Sequence, residues 1–68
     1  MKMTNLKRIR TAAGITQAAL AKCSGMSLRT LQDYEQGRKN INGAAALTVF
    51  RLAQTLNVNV EDLLELEA

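Results

Sequence analysis

The chain has no histidine, no proline and no tryptophan, and a single cysteine, Cys23, among its 68 residues. Without histidine there is no imidazole to act as a general base near neutral pH, and a lone thiolate cannot complete a tetrahedral zinc site. One cysteine also excludes an internal disulfide. Cys23 is expected to be a small, partly buried filler near a turn, with a reactive thiol as the other reading. No stretch approaches the roughly 18 apolar residues a membrane span needs, and the opening MKMTNLKRIR lacks the apolar run of a signal peptide. A soluble protein in a reducing, cytoplasmic setting is the expectation. A glycine-rich phosphate loop and a pair of acids in a cleft are missing too, so no enzymatic activity, no cofactor and no metal are expected. Alternating apolar and polar runs long enough for a strand are also absent, which leaves an all-α chain.

The length fits one small domain over residues 1–68. Such a domain buries only about 60% of its unfolded surface, for a net stability of ~3–5 kcal/mol unless association adds to it. The net charge of +3 is unevenly spread: residues 1–51 hold all nine Lys and Arg against Asp33 and Glu35, while residues 52–68 hold four acids and no base. A basic body with an acidic tail suits a polyanion on one side and repulsion from it on the other.

Five helices are read from the apolar spacing and from Ser, Thr and Asn at the places where caps belong. The first runs from a cap at Thr4 to Ala13, stopped by Gly14, with Leu6, Ile9 and Ala13 as its stripe. The second follows Thr16 and ends near Cys23, and the third follows Ser27 and ends at Gly37. A loop, Arg38 to Gly43, leads to a fourth helix of about Ala44 to Leu56, with Ala46, Val49, Ala53 and Leu56 facing inward. Asn57 suits a left-handed C-cap, and a last short helix after Asn59 presents Leu63, Leu64 and Leu66.

The segment QAALAKCSGMSLRTLQDYEQ, Gln17 to Gln36, forms a helix, a glycine turn and a second helix. Small Ala21 lets the two helices approach, and Gly25 supplies the positive φ of the turn. This helix-turn-helix pattern holds its second helix out from the body, in position to enter a DNA major groove.

Two charges fall on apolar stripes. Arg10 lies between Leu6 and Ala13, and Glu35 lies one turn beyond Leu31. Either alone would cost several kcal/mol of desolvation, so the two are expected to meet as a salt bridge fixing the third helix on the first. With Leu31, Tyr34 and Glu35 inward, the wheel turns Arg29, Gln32, Asp33 and Gln36 outward, flanked by Leu28 and Thr30. Arg29 can donate two bonds to a guanine, Thr30 can bond a base or a phosphate, and Leu28 can pack on a thymine methyl. Asp33 must accept from a cytosine amine, orient Arg29 or point aside, and the spacing favours pairing with Arg29. Gln17 at the start of the second helix and Arg38, Lys39 and Asn40 after the third are the candidate phosphate donors. Leu47, with Phe50 at the margin and Leu66 near the end, lies away from the expected core. It is either a homodimer surface, which would pair two reading helices across a palindrome, or is covered by the loop before it.

LKRIRTAAGITQAALAKCSGMS, YEQGRK and LAQTLNVNVEDLL together resemble the phage-repressor-like helix-turn-helix family of lambda-type repressors and Cro proteins, often called the XRE family. The resemblance spans most of the chain and implies a compact five-helix bundle and a bacterial or phage transcriptional regulator of repressor type that binds double-stranded DNA as a dimer. It places Arg10 and Glu35 at the structural salt-bridge positions, Gln17 at the phosphate-clamping glutamine, and Leu28, Arg29 and Asp33 at base-reading positions. Leu28 is apolar and Asp33 acidic where the family usually has polar readers, and NINGAAAL replaces its proline-led entry to the fourth helix with a longer loop. The competing reading is a protein-interaction module on the same fold, an antitoxin or anti-repressor, whose protein partner would cover Leu28 and Leu47.

Overall fold

Three helices start on a hydroxyl. Thr4, Thr16 and Ser27 sit in extended backbone and accept from the amides of Lys7, Ala19 and Thr30, each satisfying a donor that the first helical turn leaves unpaired. The structure, a computed structural model, describes residues 3–66, so Lys2 and Glu67 of the charge split lie outside the described residues. The helices are α1 (Asn5–Ala13), α2 (Gln17–Ser24), α3 (Leu28–Glu35), α4 (Ala46–Leu56) and α5 (Val60–Leu63), with a 3₁₀ turn at Ile41–Gly43. No strand occurs among the described residues.

Each helix contributes one fully buried leucine: Leu6, Leu20, Leu31, Leu52 and Leu63. Truncating any of them to alanine removes apolar contact that the neighbours cannot fully refill, at a cost of ~2–5 kcal/mol. Ile41 from the 3₁₀ turn, Val49 and Leu56 complete the cluster, and Ala21 and Ala53 are small enough to let elements close in. α2 packs on both α3 and α4, while α1 spans α3, α4 and α5. The pair that forms the turn is thus gripped from behind.

The turn between α2 and α3 needs its glycine. Gly25 has φ 70°, a left-handed conformation, and a Cβ there would meet Arg51 Nη1 at 3.3 Å. Asn57 ends α4 in the same region, at φ 58°. In α5, Asp62 Oδ2 accepts from the Asn59 amide at 3.0 Å, closing the first turn reciprocally.

Several boundaries and faces differ from expectation. α3 stops at Glu35, because Gln36 takes the cap and Gly37, at φ 79°, turns the chain away. α4 begins at Ala46, which leaves Ala46 exposed in the first turn and moves the buried stripe to Val49, Leu52, Ala53 and Leu56. Ala13, next to the left-handed Gly14, is exposed and outside the stripe. α5 ends at Leu63, so half-buried Leu64 and exposed Leu66 follow it in extended chain.

Candidate nucleic-acid interface

The base of α3 is fixed by a buried ion pair. Arg10 donates from Nε to Glu35 Oε2 at 2.5 Å and from Nη2 to Oε1 at 3.1 Å, the expected pair in a two-pronged form. Its third arm, Nη1, reaches the Ile15 carbonyl at 2.8 Å across the end of α1. Glu35 Oε1 also accepts from Gln17 Nε2 at 3.0 Å, and Thr4 Oγ1 donates to the Glu35 carbonyl at 2.9 Å. α1, α2 and α3 therefore converge on one carboxylate with no side-chain exposure.

Gln17 and Gln32 are turned differently from the sequence reading. The half-buried Gln17 side chain bonds into this network, and its Oε1 accepts weakly from Gln32 Nε2 at 3.5 Å, so half-buried Gln32 leaves the outward face. One hydrogen of the Gln17 amide and the unpaired backbone donors of the first turn of α2 remain for an anion.

The N-terminal end of α3 is open. The Arg29 side chain is 80% exposed, and Leu28 beside it is exposed as well. Ser27 Oγ donates to Thr30 Oγ1 at 2.8 Å, which fixes the Thr30 hydroxyl and leaves its own hydrogen free to donate.

Asp33 is held mainly by Arg38, not Arg29. Its Oδ1 accepts from Arg38 Nε at 2.9 Å, whereas Arg29 Nε stands 3.7 Å away, so the favoured pairing exists only as the longer contact. The bond from Arg38 pushes the Asp33 carboxyl below the ordinary aspartate pKa, and the charges of Arg29 and Lys39 act the same way against partial desolvation. Beyond α3, the Lys39 amide donates to the Asp33 carbonyl at 3.1 Å and the Lys39 side chain is exposed. Exposed Asn40 caps the 3₁₀ turn by accepting from the Asn42 amide at 2.9 Å through Oδ1, and its NH₂ group can still donate.

Three residues that support this loop carry no sign in the sequence. Asn42 pairs with the backbone of Glu65 in both directions, its Nδ2 donating to the carbonyl at 3.0 Å and its Oδ1 accepting from the amide at 2.8 Å. Glu65 Oε2 in turn accepts from the Asn5 amide at 2.7 Å, where an anion suits the start of α1, and Asn5 Nδ2 donates to the Leu64 carbonyl at 2.9 Å.

Leu47 and Phe50, one turn apart on α4, are 57% and 51% exposed, so the loop before α4 does not cover Leu47. Leu66 is exposed too, and Cys23, expected to be partly buried, is at the surface on α2.

The helix-turn-helix family matches residues 6–63, most of the chain. The chain belongs to this family. The restriction-modification controller protein C.AhdI from Aeromonas hydrophila, known from a crystal structure, is similar to it with a TM-score of 0.76 and 29% identity, over 87% of this chain and 85% of that one. No curated protein matches the sequence. The repressor-like, all-helical resemblance read from the residues therefore holds, and sequence-specific DNA binding by a transcriptional regulator is the function that goes with it. In this helix-turn-helix protein, no described helix is long and apolar enough to cross a membrane.

Proposed function

We propose that this chain regulates transcription in the cytoplasm by laying α3 in the major groove of double-stranded DNA, as one half of a homodimer. The observation that carries the reading is the solvent-exposed Arg29 at the leading end of a helix whose other end is locked by a buried ion pair. Arg29 donates in bidentate fashion to a guanine, while Leu28 and Thr30 contact neighbouring base edges. Gln17 and the start of α2 take a phosphate on one side, and Arg38, Lys39 and Asn40 hold the backbone on the other. The exposed Leu47 and Phe50 supply the apolar patch for a second copy, which would set two α3 helices about one turn of DNA apart. C.AhdI, a controller protein, supports a regulatory role.

Fluorescence anisotropy on a random-sequence duplex, and on the duplex that the protein enriches from a random pool, tests the reading. With roughly three to five phosphates neutralised per subunit, log K is expected to fall against log salt with a slope of about −3 to −5. Arg29→Ala should relax the preference at one guanine by ~1–3 kcal/mol, and Lys39→Ala should weaken every sequence alike. Absence of salt-dependent binding to either duplex at low salt would sink the proposal and favour a protein partner on Leu28 and Leu47.

A further inference from the structure

Asp33 is an acid set among the cations Arg29, Arg38 and Lys39, and the DNA-binding reading above gives it no contact. Asp33 lies one turn from Arg29 and shares a single oxygen between two guanidinium groups, Arg38 at 2.9 Å and Arg29 at 3.7 Å. Its side chain is only 15% exposed, against 53% for Arg38. It also anchors the loop that carries Arg38, through the bond from the Lys39 amide to its carbonyl.

A carboxylate so placed occupies the Nε edge that a phosphate would otherwise take on Arg38. Binding to arbitrary DNA comes almost wholly from such cation–phosphate contacts, so a withheld cation lowers it by that contact's full share. A preferred site loses less, because Arg29, at its longer distance, can leave Asp33 for a guanine. We propose that Asp33 is a specificity-determining residue, an internal counter-ion that competes with backbone phosphates for Arg38 and Arg29 and so suppresses binding to non-cognate DNA more than to the preferred sequence. The inference rests on the DNA-binding reading above.

The test compares wild type, Asp33→Asn, Arg38→Gln and the double variant on a random-sequence duplex and on the duplex enriched by the wild type, by anisotropy across a salt series. Release of one cation should make Asp33→Asn bind the random duplex roughly 3- to 10-fold more tightly near 0.1 M salt and steepen its salt slope by about 0.9 per subunit. Affinity for the enriched duplex should rise less, so the ratio between the two falls. The gain should vanish when Arg38→Gln is already present. If thermal melts show Asp33→Asn poorly folded, Asp33→Ser carries the same expectation. Unchanged or weaker binding to the random duplex overturns the inference, as does a loss confined to one cytosine of the enriched duplex, which would make Asp33 a direct reader. A wild type that binds with Asp33→Asn unmoved overturns the counter-ion alone; a wild type that binds neither duplex overturns the DNA reading and the counter-ion with it.

Discussion

Arg10→Met and Glu35→Leu, separately and together, probe the pair that joins α1 to α3. In Arg10→Met, Glu35 keeps a bond from Gln17 but loses both guanidinium bonds at a site with no access to water. Breaking a buried pair from one side costs ~3–5 kcal/mol, which is the whole stability expected of a domain this small. Arg10→Met should therefore be largely unfolded at room temperature. Glu35→Leu should be milder, since the Arg10 side chain is 13% exposed and keeps the Ile15 carbonyl, so its charge can turn toward water. The double variant replaces both charges with apolar groups and is expected to melt close to wild type. Urea and thermal denaturation followed by far-UV circular dichroism measure this, with about 4–8 °C in melting temperature for each kcal/mol. Two small losses that simply add in the double variant would refute the account, because independent surface charges behave that way.

Gly25→Ala should lose ~1–2 kcal/mol from the left-handed backbone alone, seen as a lower urea midpoint; an unchanged midpoint would mean that the turn adopts another conformation. Leu47→Glu should leave the melting curve of dilute protein unchanged and abolish self-association in a sedimentation concentration series, whereas association that persists would place the dimer surface elsewhere. The Asp33 carboxyl is expected to titrate below ordinary aspartate when followed by carbon NMR. Because its pKa is depressed in the folded chain, its contribution is complete above the unfolded value and is lost as pH falls through the folded one. An ordinary midpoint would remove the bond from Arg38.

What could be read in advance was what depends on near neighbours. The hydroxyls of Thr4, Thr16 and Ser27 mark helix starts because each bonds an amide three residues on, whereas α4 begins at Ala46 behind Ala45, which has no side chain to cap with, so its start carries no such mark. Arg10 and Glu35 were legible as a pair for a different reason. A charge in an apolar stripe must find a partner, and only one opposite charge was similarly placed. The Asp33–Arg38 bond was hidden because helical spacing pointed to Arg29, and only the left-handed Gly37 brings Arg38 back over the end of α3. The inward bonds of Gln17 and Gln32 are not legible in the sequence, because an amide fits a surface or a buried network equally well and periodicity does not tell the two apart. Asn5, Asn42 and Glu65 meet across most of the chain, and nothing periodic marks them.

The clasp between Glu65 and Asn5 closes a loop of almost the whole polypeptide, whereas α2 and α3 meet after a turn of a few residues. Contacts of such different reach do not form together: α2 and α3 can assemble early and locally, while the clasp must wait until the ends have been gathered. It is built from hydrogen bonds at partly exposed positions, so it should also be the first part of the native molecule to come apart. The amides of Asn5 and Glu65 are accordingly expected to exchange with deuterium well ahead of those of Leu31 and Leu52, through partial openings in which the paired helices stay intact.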